Sequence, residues 1–281
     1  MTQSRSPLGG LQDILLATDG TDNSHAAEAG ALEMASRCGA RLHILQVVVT
    51  TPEQAAEMPR SVAEAGDAAK AYIDGLREKA VAEGLSADTY VRTSSDPYGE
   101  IAATAQKLEC SLIVIGRHER SLFARLLRGQ TINRLIDKAR CSVLMMPVGA
   151  ETPKRGILVA TDGSEFGDAA VAAAVDLAQR CALPLTAVSV YPPDADDEAR
   201  AQAYDAISRA QDTAGELAFD GRRIEGGKAA EAILEVVGET GADLVVLGSL
   251  GRGGLGRLFR GSVAQTVVSG AGCGVLVTIR D

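Results

Sequence analysis

Short apolar runs alternate along this chain with longer segments in which apolar residues recur at helical spacing. The runs predict strands at residues 11–18, 41–49, 87–93, 111–116 and 142–148, and again at 155–161, 184–190, 222–225, 243–248 and 274–279. The segments between them predict helices at residues 23–38, 61–83, 96–108, 129–139, 164–181, 196–218, 228–240 and 261–269. Residues 50–60 are predicted as a loop. Strands that alternate with helices predict doubly wound parallel sheets with helices on both faces.

The two halves of the chain repeat one unit. The sequence ILLATDG at residues 14–20 recurs as ILVATDG at 157–163, an offset of 157 − 14 = 143 residues. Further on, RLLRG at 125–129 recurs as RLFRG at 257–261, an offset of 257 − 125 = 132. The first copy therefore carries 143 − 132 = 11 extra residues, which we place around residues 50–66. Pro153 lies in a linker at 149–154, so we predict domains at residues 1–149 and 150–281.

Composition restricts the function classes. A length of 281 residues suits two domains, and 46% hydrophobic residues with only 3% aromatic ones predict cores of Val, Leu, Ile and Ala. The net charge of −9 argues against binding to nucleic acid or to anionic membranes. We find no signal peptide in residues 1–12 and no apolar run long enough to cross a membrane. Five cysteines without a C-x-x-C pair suit a reducing cytoplasm, so we expect a cytoplasmic protein.

A glycine-rich loop is the strongest candidate site. Residues 248–262 read GSLGRGGLGRLFRGS and lie between a predicted strand and a predicted helix, so backbone N–H groups and a helix N-terminus can approach one anion. Gly248, Gly251 and Gly261 let the backbone approach a phosphate, and Ser262 can cap the helix with Gln265 as its capping-box partner. The loop lacks the Lys-(Ser/Thr) pair of a Walker motif, and its spacing is longer than that of a Rossmann fingerprint. The alternative is a flexible surface loop that binds nothing.

The spacing Gly-x2-Gly-x9-Gly-Ser resembles the motif of the universal stress protein family in its ATP-binding subgroup. The resemblance covers nearly the whole chain as two tandem domains. It implies two open parallel five-stranded sheets of the Rossmann-like, adenine-nucleotide-binding α/β type, related by a pseudo-twofold axis. Family members commonly dimerise through their fifth strands. The resemblance therefore implies an intramolecular pseudo-dimer in which residues 142–148 pair with 274–279, and two chains can form a homodimer.

The resemblance also assigns residues to an ATP site in the second domain. Asp162, at the end of the first strand, is expected to contact the nucleotide, where a carboxylate can bond a ribose hydroxyl or hold Mg²⁺ beside the phosphates. The alternative is a turn aspartate that caps the next helix. Val188 is expected to lie against the adenine, and Leu247 and Gly248 at the base and ribose. The expected phosphate contacts are Gly251, Arg252, Gly261, Ser262 and Val263. Arg257 and Arg260 add positive charge or belong to a solvated face.

The first copy departs from the motif. It keeps Asp19, Gly116 and a final glycine, but Glu119 replaces the second glycine and Gln130 replaces the Ser/Thr. A carboxylate at the phosphate position costs binding free energy because like charges repel. We therefore expect the first domain to have lost triphosphate binding, or to bind something less anionic such as adenosine. Thr131 can replace the missing hydroxyl, which leaves this expectation open.

The resemblance implies a cytoplasmic regulatory protein of stress or dormancy responses that binds ATP and acts as a nucleotide-dependent switch on an unknown protein partner. One alternative is a nucleotide-free interaction or scaffold protein of the same fold, and another is a slow ATPase. We find no Ser-His-Asp arrangement, no paired carboxylates and no catalytic residue. The three histidines His25, His43 and His118 lack metal-ligand spacing. An efficient enzyme is therefore not expected.

Overall fold

The computed structural model describes Leu8 and residues 10–117, 133–251 and 262–279. The chain divides into two compact units, one formed by Gly10–Gly149 and one that contains Ala150–Asp281. Each unit has a five-stranded sheet, and neighbouring strands within each sheet run parallel. The predicted fold of two tandem parallel α/β domains is confirmed.

In the first unit, the first strand lies at the centre of the sheet. The strands are β1 (Asp13–Thr18), β2 (Arg41–Val49), β3 (Ala87–Ser94), β4 (Leu112–Arg117) and β5 (Ser142–Pro147), in the spatial order β3-β2-β1-β4-β5. The described helices are His25–Cys38, Pro52–Glu57, Pro59–Ala82, Pro97–Lys107 and Asn133–Lys138, and Asp22–Ser24 forms a 3₁₀ turn. β2 and β3 lie on one side of β1, and β4 and β5 lie on the other, so the direction in which strands are added reverses at β1.

The second unit repeats this order. Its strands are β6 (Ile157–Ala160), β7 (Leu185–Tyr191), β8 (Phe219–Glu225), β9 (Leu244–Gly248) and β10 (Gly274–Thr278), in the spatial order β8-β7-β6-β9-β10. Its described helices are Glu165–Cys181, Asp197–Ala214, Ala229–Thr240 and Ser262–Gly270. The central strand is again the first one.

The register of the strands makes the two units equivalent residue by residue. The matching pairs are Ile14–Leu42 and Ile14–Leu112 in the first sheet, and Ile157–Leu185 and Ile157–Leu244 in the second. The first two strands therefore correspond at an offset of 185 − 42 = 143 residues, and the fourth strands at 244 − 112 = 132. The third strands, whose Ala87 and Phe219 pair with Leu42 and Leu185, also correspond at 219 − 87 = 132, so the 11 extra residues of the first unit (143 − 132) lie between its second and third strands, where we predicted them.

Aliphatic side chains fill the centre of each sheet. All residues of β4 from Leu112 to Ile115 are buried, as are all residues of β10. A strand that is buried at successive positions is covered on both faces, because neighbouring side chains point to opposite faces. The described helices therefore cover both faces, as the continuous apolar runs predicted.

The helix Pro52–Glu57 contradicts the loop that we predicted at residues 50–60. Thr51 starts this helix with a capping box: the Gln54 N–H donates to the Thr51 hydroxyl, and the Thr51 N–H donates to the Gln54 side chain. Met58, at φ −129° and ψ 55°, then interrupts the helical backbone because it precedes Pro59. No residue of this short helix is buried, so the segment lacks the apolar periodicity from which we predict helices.

The third strand of the second unit is longer than its sequence indicates. β8 begins at Phe219 rather than at residue 222, and the preceding helix ends at Ala214 rather than at 218. Gly215 ends this helix with φ +59°. Gly221 weakens the strand pattern, but a Cβ at this position would lie 2.6 Å from Ile207 Cγ2. The glycine therefore lets the helix Asp197–Ala214 pack closely against the strand.

Within the described part of the chain, no helix combines the length and apolar character needed to cross a membrane.

Candidate functional site

The predicted site lies at the carboxyl ends of three neighbouring strands of the second unit. β6 lies between β7 and β9, so the segments that follow β6 and β9 leave the sheet side by side. In an open parallel sheet, ligands bind in the crevice where the order of the strands reverses. Asp162 follows β6 and Gly248 ends β9, which places both residues at this edge.

Asp162 is oriented by its own turn. Its Oδ1 accepts hydrogen bonds from the Ser164 N–H at 3.0 Å and from the Ser164 hydroxyl at 2.6 Å. Ser164 Oγ in turn accepts a hydrogen bond from the Gly167 N–H at 3.1 Å and caps the helix Glu165–Cys181. The alternative interpretation of Asp162 as the cap of this helix is wrong, because Ser164 has that role.

Two motif glycines lie so close to other parts of the site that a side chain would collide. A Cβ at Gly248 would lie 2.8 Å from the backbone oxygen of Phe166, in the first turn of the helix Glu165–Cys181. A Cβ at Gly251 would lie 2.9 Å from Asp162 Oδ2. The structure therefore brings Gly251 and Asp162 together from distant parts of the sequence, with the loop backbone against the carboxylate.

The two apolar residues predicted for the base lie deeper than this edge. Val188 has no exposed surface, and its carbonyl oxygen accepts a hydrogen bond from the Thr161 N–H at 2.9 Å. Leu247 is also buried, and its carbonyl oxygen accepts a hydrogen bond from Thr278. Val190 lies two residues beyond Val188 on the same face of β7 and is partly exposed. Our sequence reasoning did not select Val190, although it is the last apolar residue of the predicted strand.

Most of the phosphate loop lies outside the described residues. This applies to Arg252 and Gly261, and also to Arg257 and Arg260. The last helix begins at Ser262, as the motif predicts, and Val263 in its first turn is half-buried. In the first unit, β4 extends through Gly116 to Arg117, whereas His118, Glu119, Gln130 and Thr131 lie outside the described residues.

The first unit has a partly open pocket at its own carboxyl edge. The end of β1, two residues of β2, one residue of β4 and the first turn of the helix Pro97–Lys107 line this pocket. Its walls include Asp19, Leu45, Val47, Tyr98, Ile101 and Ile115. At the offsets set by the strand register, their counterparts in the second unit are Asp162, Val188, Val190, Ala230, Ile233 and Leu247. The pocket of the first unit thus corresponds to the site predicted in the second.

The Asp19 turn has the same construction as the Asp162 turn. Asp19 Oδ1 accepts hydrogen bonds from the Thr21 N–H at 3.0 Å, the Thr21 hydroxyl at 2.8 Å and the Ser24 hydroxyl at 2.8 Å. Thr21 is the counterpart of Ser164, since 164 − 21 = 143. Each turn therefore fixes one oxygen of its aspartate.

Different side chains stabilise the Asp19 turn and the Asp162 turn. In the first unit, the buried Glu28 accepts hydrogen bonds from Thr18 at 2.5 Å and from the Tyr72 hydroxyl at 3.0 Å. Burial and the negative charge of Glu28 raise the pKa of Tyr72 to about 12. In the second unit, Arg209 Nη2 donates to the Gly163 carbonyl oxygen at 2.8 Å and lies 3.3 Å from Asp168 Oδ1. In both units, a polar side chain from a helix after the second strand takes part in this support.

Among the described residues, the remaining reactive side chains do not form a second site. His43 is buried between Asp13, at 2.9 Å, and the Tyr90 hydroxyl, at 3.3 Å, near the amino ends of the strands. Burial raises the pKa of the Cys110 thiol to about 12, which makes it a poor nucleophile. In the parts of the chain described above, no three His, Cys, Asp or Glu side chains cluster in a way that could hold a metal ion.

A family sequence model and a known bacterial protein each match this chain over almost its full length. The sequence model of the universal stress protein family matches residues 10–147 and 154–278. A universal stress protein of Mycolicibacterium smegmatis is 26% identical, and the alignment covers 99% of both chains. A universal stress protein of Thermus aquaticus is 34% identical over 131 residues, which are 43% of this chain and 96% of that protein.

Solved structures agree on the fold. The crystal structure of a universal stress protein from Archaeoglobus fulgidus matches with a TM-score of 0.77 at 22% identity, over 96% of this chain and 97% of that one. Because the family model covers both units, this chain belongs to the universal stress protein family, with two tandem family domains.

Proposed function

We propose that this universal stress protein binds ATP with Mg²⁺ in its second unit and acts as a nucleotide-dependent regulatory switch in a stress response. The contact between the second glycine of the motif and Asp162 is the observation that carries the proposal. It joins the two sequence features that were expected to hold a nucleotide, because Gly251 and the Asp162 carboxylate are in contact distance at the carboxyl edge. This edge is where open parallel sheets bind ligands.

The roles of the residues follow from their positions along this edge. Asp162 accepts a ribose hydroxyl or holds Mg²⁺, and the turn that fixes its Oδ1 also orients its second oxygen. The base packs near the end of β7, where the partly exposed Val190 is nearer to a ligand than the fully buried Val188. Leu247 and Gly248 border the base and ribose. The phosphate contacts are assigned to Gly251, Arg252, Gly261, Ser262 and Val263.

The residues fit Mg²⁺ bound together with phosphates rather than by the protein alone. Mg²⁺ is commonly held by one or two carboxylates plus phosphate oxygens and water, and Asp162 supplies one carboxylate. The ion would neutralise phosphate charge beside Asp162. Without it, the carboxylate and the triphosphate would repel each other.

A binding role accounts for the site better than efficient catalysis. We assign no general base, so we expect ATP hydrolysis to be slow at most. A ligand shifts a conformational equilibrium only through different affinities for the two conformers. The proposed switch therefore requires that ATP favour one arrangement of the loop after Gly248, which a protein partner or a second copy of the chain then recognises. Five cysteines without a C-x-x-C pair suit a reducing compartment such as the cytoplasm.

We assign the nucleotide mainly to the second unit. In the first unit, Glu119 occupies the sequence position of Gly251, and its charge opposes phosphate. The turn of Asp19 and the apolar pocket are nevertheless present. A ligand without phosphates, such as adenosine, is therefore the alternative for this unit.

The experiment is to heat-denature freshly purified protein and to identify the released nucleotide by chromatography and mass. About one ATP per chain supports the proposal, and two per chain contradict the assignment of the first unit. If none is released and titration with Mg-ATP shows no binding, the protein is a nucleotide-free interaction protein. Turnover well above one per minute that is lost in Asp162→Ala would instead show an ATPase (the threshold is a rough choice, since enzymes typically run near 10 per second).

A further inference from the structure

Equivalent positions of the two units carry side chains of very different size, Tyr98 in the first and Ala230 in the second, and this difference bears on which ligands each unit can admit. The helix that borders the pocket begins with Pro97 and Tyr98 in the first unit, and with Ala229 and Ala230 in the second. We propose that Tyr98 excludes a nucleoside from the first pocket and that its counterpart Ala230 admits one to the second. This inference rests on the proposed nucleotide site in the second unit.

The equivalence of the two positions is structural as well as sequential. The helices Pro97–Lys107 and Ala229–Thr240 begin at equivalent residues, since 229 − 97 = 132 is also the offset between β4 and β9. Ile101 and Ile233, three residues beyond Tyr98 and Ala230, are both buried. The two helices therefore present Tyr98 and Ala230 at the same place relative to the end of the central strand.

Tyr98 approaches the aspartate of its own unit. Its side chain and Asp19 line the same pocket. Burial raises the pKa of the Tyr98 hydroxyl, and the negative charge of Asp19 raises it further. Asp162, the counterpart of Asp19, is the residue to which we assign the ribose. A tyrosine ring that lines this pocket takes up space that a nucleoside beside Asp19 would need.

Ala230 is much smaller than its counterpart Tyr98. Its side chain ends at Cβ, so it has no atoms that reach across to Asp162 as the Tyr98 ring reaches towards Asp19. The other walls differ less, since the apolar side chains Leu45 and Ile115 correspond to Val188 and Leu247. Among the described residues that line the first pocket, Asp19 is the only charged one, so the pocket offers no cation to a phosphate.

The test compares wild type with Tyr98→Ala, Tyr98→Phe and Ala230→Tyr by equilibrium dialysis against adenosine and against Mg-ATP. We expect wild type to bind one adenosine per chain, which Mg-ATP displaces. Tyr98→Ala should bind two, and Mg-ATP should leave the second in place. Tyr98→Phe keeps the ring and should stay at one. Ala230→Tyr should weaken ATP binding at least ten-fold, with the thermal transition checked because Ala230 is buried.

Several results would overturn the inference. Two adenosines per chain in wild type would show that Tyr98 admits a nucleoside. One adenosine per chain in both wild type and Tyr98→Ala, or two in Tyr98→Phe, would show that the ring does not exclude it. Removing the ring deletes atoms from a half-buried position, so Tyr98→Ala decides the question even if Ala230→Tyr fails to fold. If wild type binds neither probe while Tyr98→Ala gains one adenosine, the proposed function fails and the exclusion by Tyr98 stands.

Discussion

Gly251→Glu copies into the second unit the residue that the first unit carries at the same motif position, Glu119. The Cβ of any new side chain would begin 2.9 Å from Asp162 Oδ2, closer than unbonded atoms normally approach. Asp162 has little freedom to withdraw, because its Oδ1 is bonded to Ser164 by both the N–H and the hydroxyl. The substitution therefore places a second carboxylate beside the first, where the phosphates and Mg²⁺ are proposed to bind.

The size of the effect follows from the charge and the exposure of the site. Two unit charges 4 Å apart repel by about 1 kcal/mol in water and by about 4 kcal/mol at an effective dielectric constant of 20. Gly251 is exposed and Asp162 is half-buried, so the site lies between these limits. Since each 1.4 kcal/mol is about ten-fold in affinity, we expect Mg-ATP to bind roughly five-fold to several hundred-fold more weakly.

Two control variants separate the effect of the negative charge from the effect of the added side-chain atoms. Gly251→Gln has the same length without the charge, and Gly251→Ala adds only the colliding Cβ. In titration calorimetry with Mg-ATP, wild type should have the highest affinity, the alanine and glutamine variants a lower one, and the glutamate variant the lowest. The glutamate penalty should shrink with salt, because ions screen exposed charges. Unfolding in urea should change by less than about 1 kcal/mol, since Gly251 is exposed. Wild-type affinity in Gly251→Glu would refute the proposed site.

Two further predictions concern the polar groups that hold each unit together. The Asp243 carboxylate accepts hydrogen bonds from three successive backbone N–H groups at residues 154–156, at 2.8, 3.0 and 3.2 Å. Asp243→Ala should therefore destabilise the second unit by about 2 kcal/mol in urea unfolding, and an unchanged midpoint would contradict this. Tyr72→Phe should cost about 1–2 kcal/mol, because Glu28 loses a buried hydrogen-bond donor. Because folding raises the pKa of Tyr72 from 10.0 to about 12, its contribution to stability is complete below pH 10 and is lost as the pH rises towards 12. In an absorbance titration of the native protein, one tyrosine should ionise near pH 12 in wild type and be absent in Tyr72→Phe. Identical titration curves for the two proteins would contradict this prediction.

The alternation of strands and helices could be predicted because it depends on local spacing. Parallel strands that are covered on both faces need continuous apolar runs, and β4 and β10 have them. The helix Pro52–Glu57 was missed because it buries nothing and therefore has no apolar stripe. Its capping box, Thr51 with Gln54, was the signal that could have revealed it.

The candidate site, like the fold, could be predicted from the sequence only in part. The motif glycines and the aspartate could be selected from spacing and from the resemblance to a family. Their contact could not be, because Gly251 meets Asp162 only when β6 and β9 become neighbours in the sheet. The burial of Val188 also depends on how far β7 extends beyond it. The sequence does not show this, which is why the partly exposed Val190 was not selected.

The amino-acid sequence was sufficient for the repeat, the fold class, the motif and the charge that separates Glu119 from Gly251, since each is a property of neighbouring residues or of two aligned segments. The tertiary structure alone decided that Gly251 lies against Asp162, and that Tyr98 borders the pocket of Asp19. The physical reason is distance along the chain. Tyr98 and Asp19 belong to different strand–helix units of one sheet, and only parallel pairing of the strands between them brings a tyrosine ring and a carboxylate to the same edge.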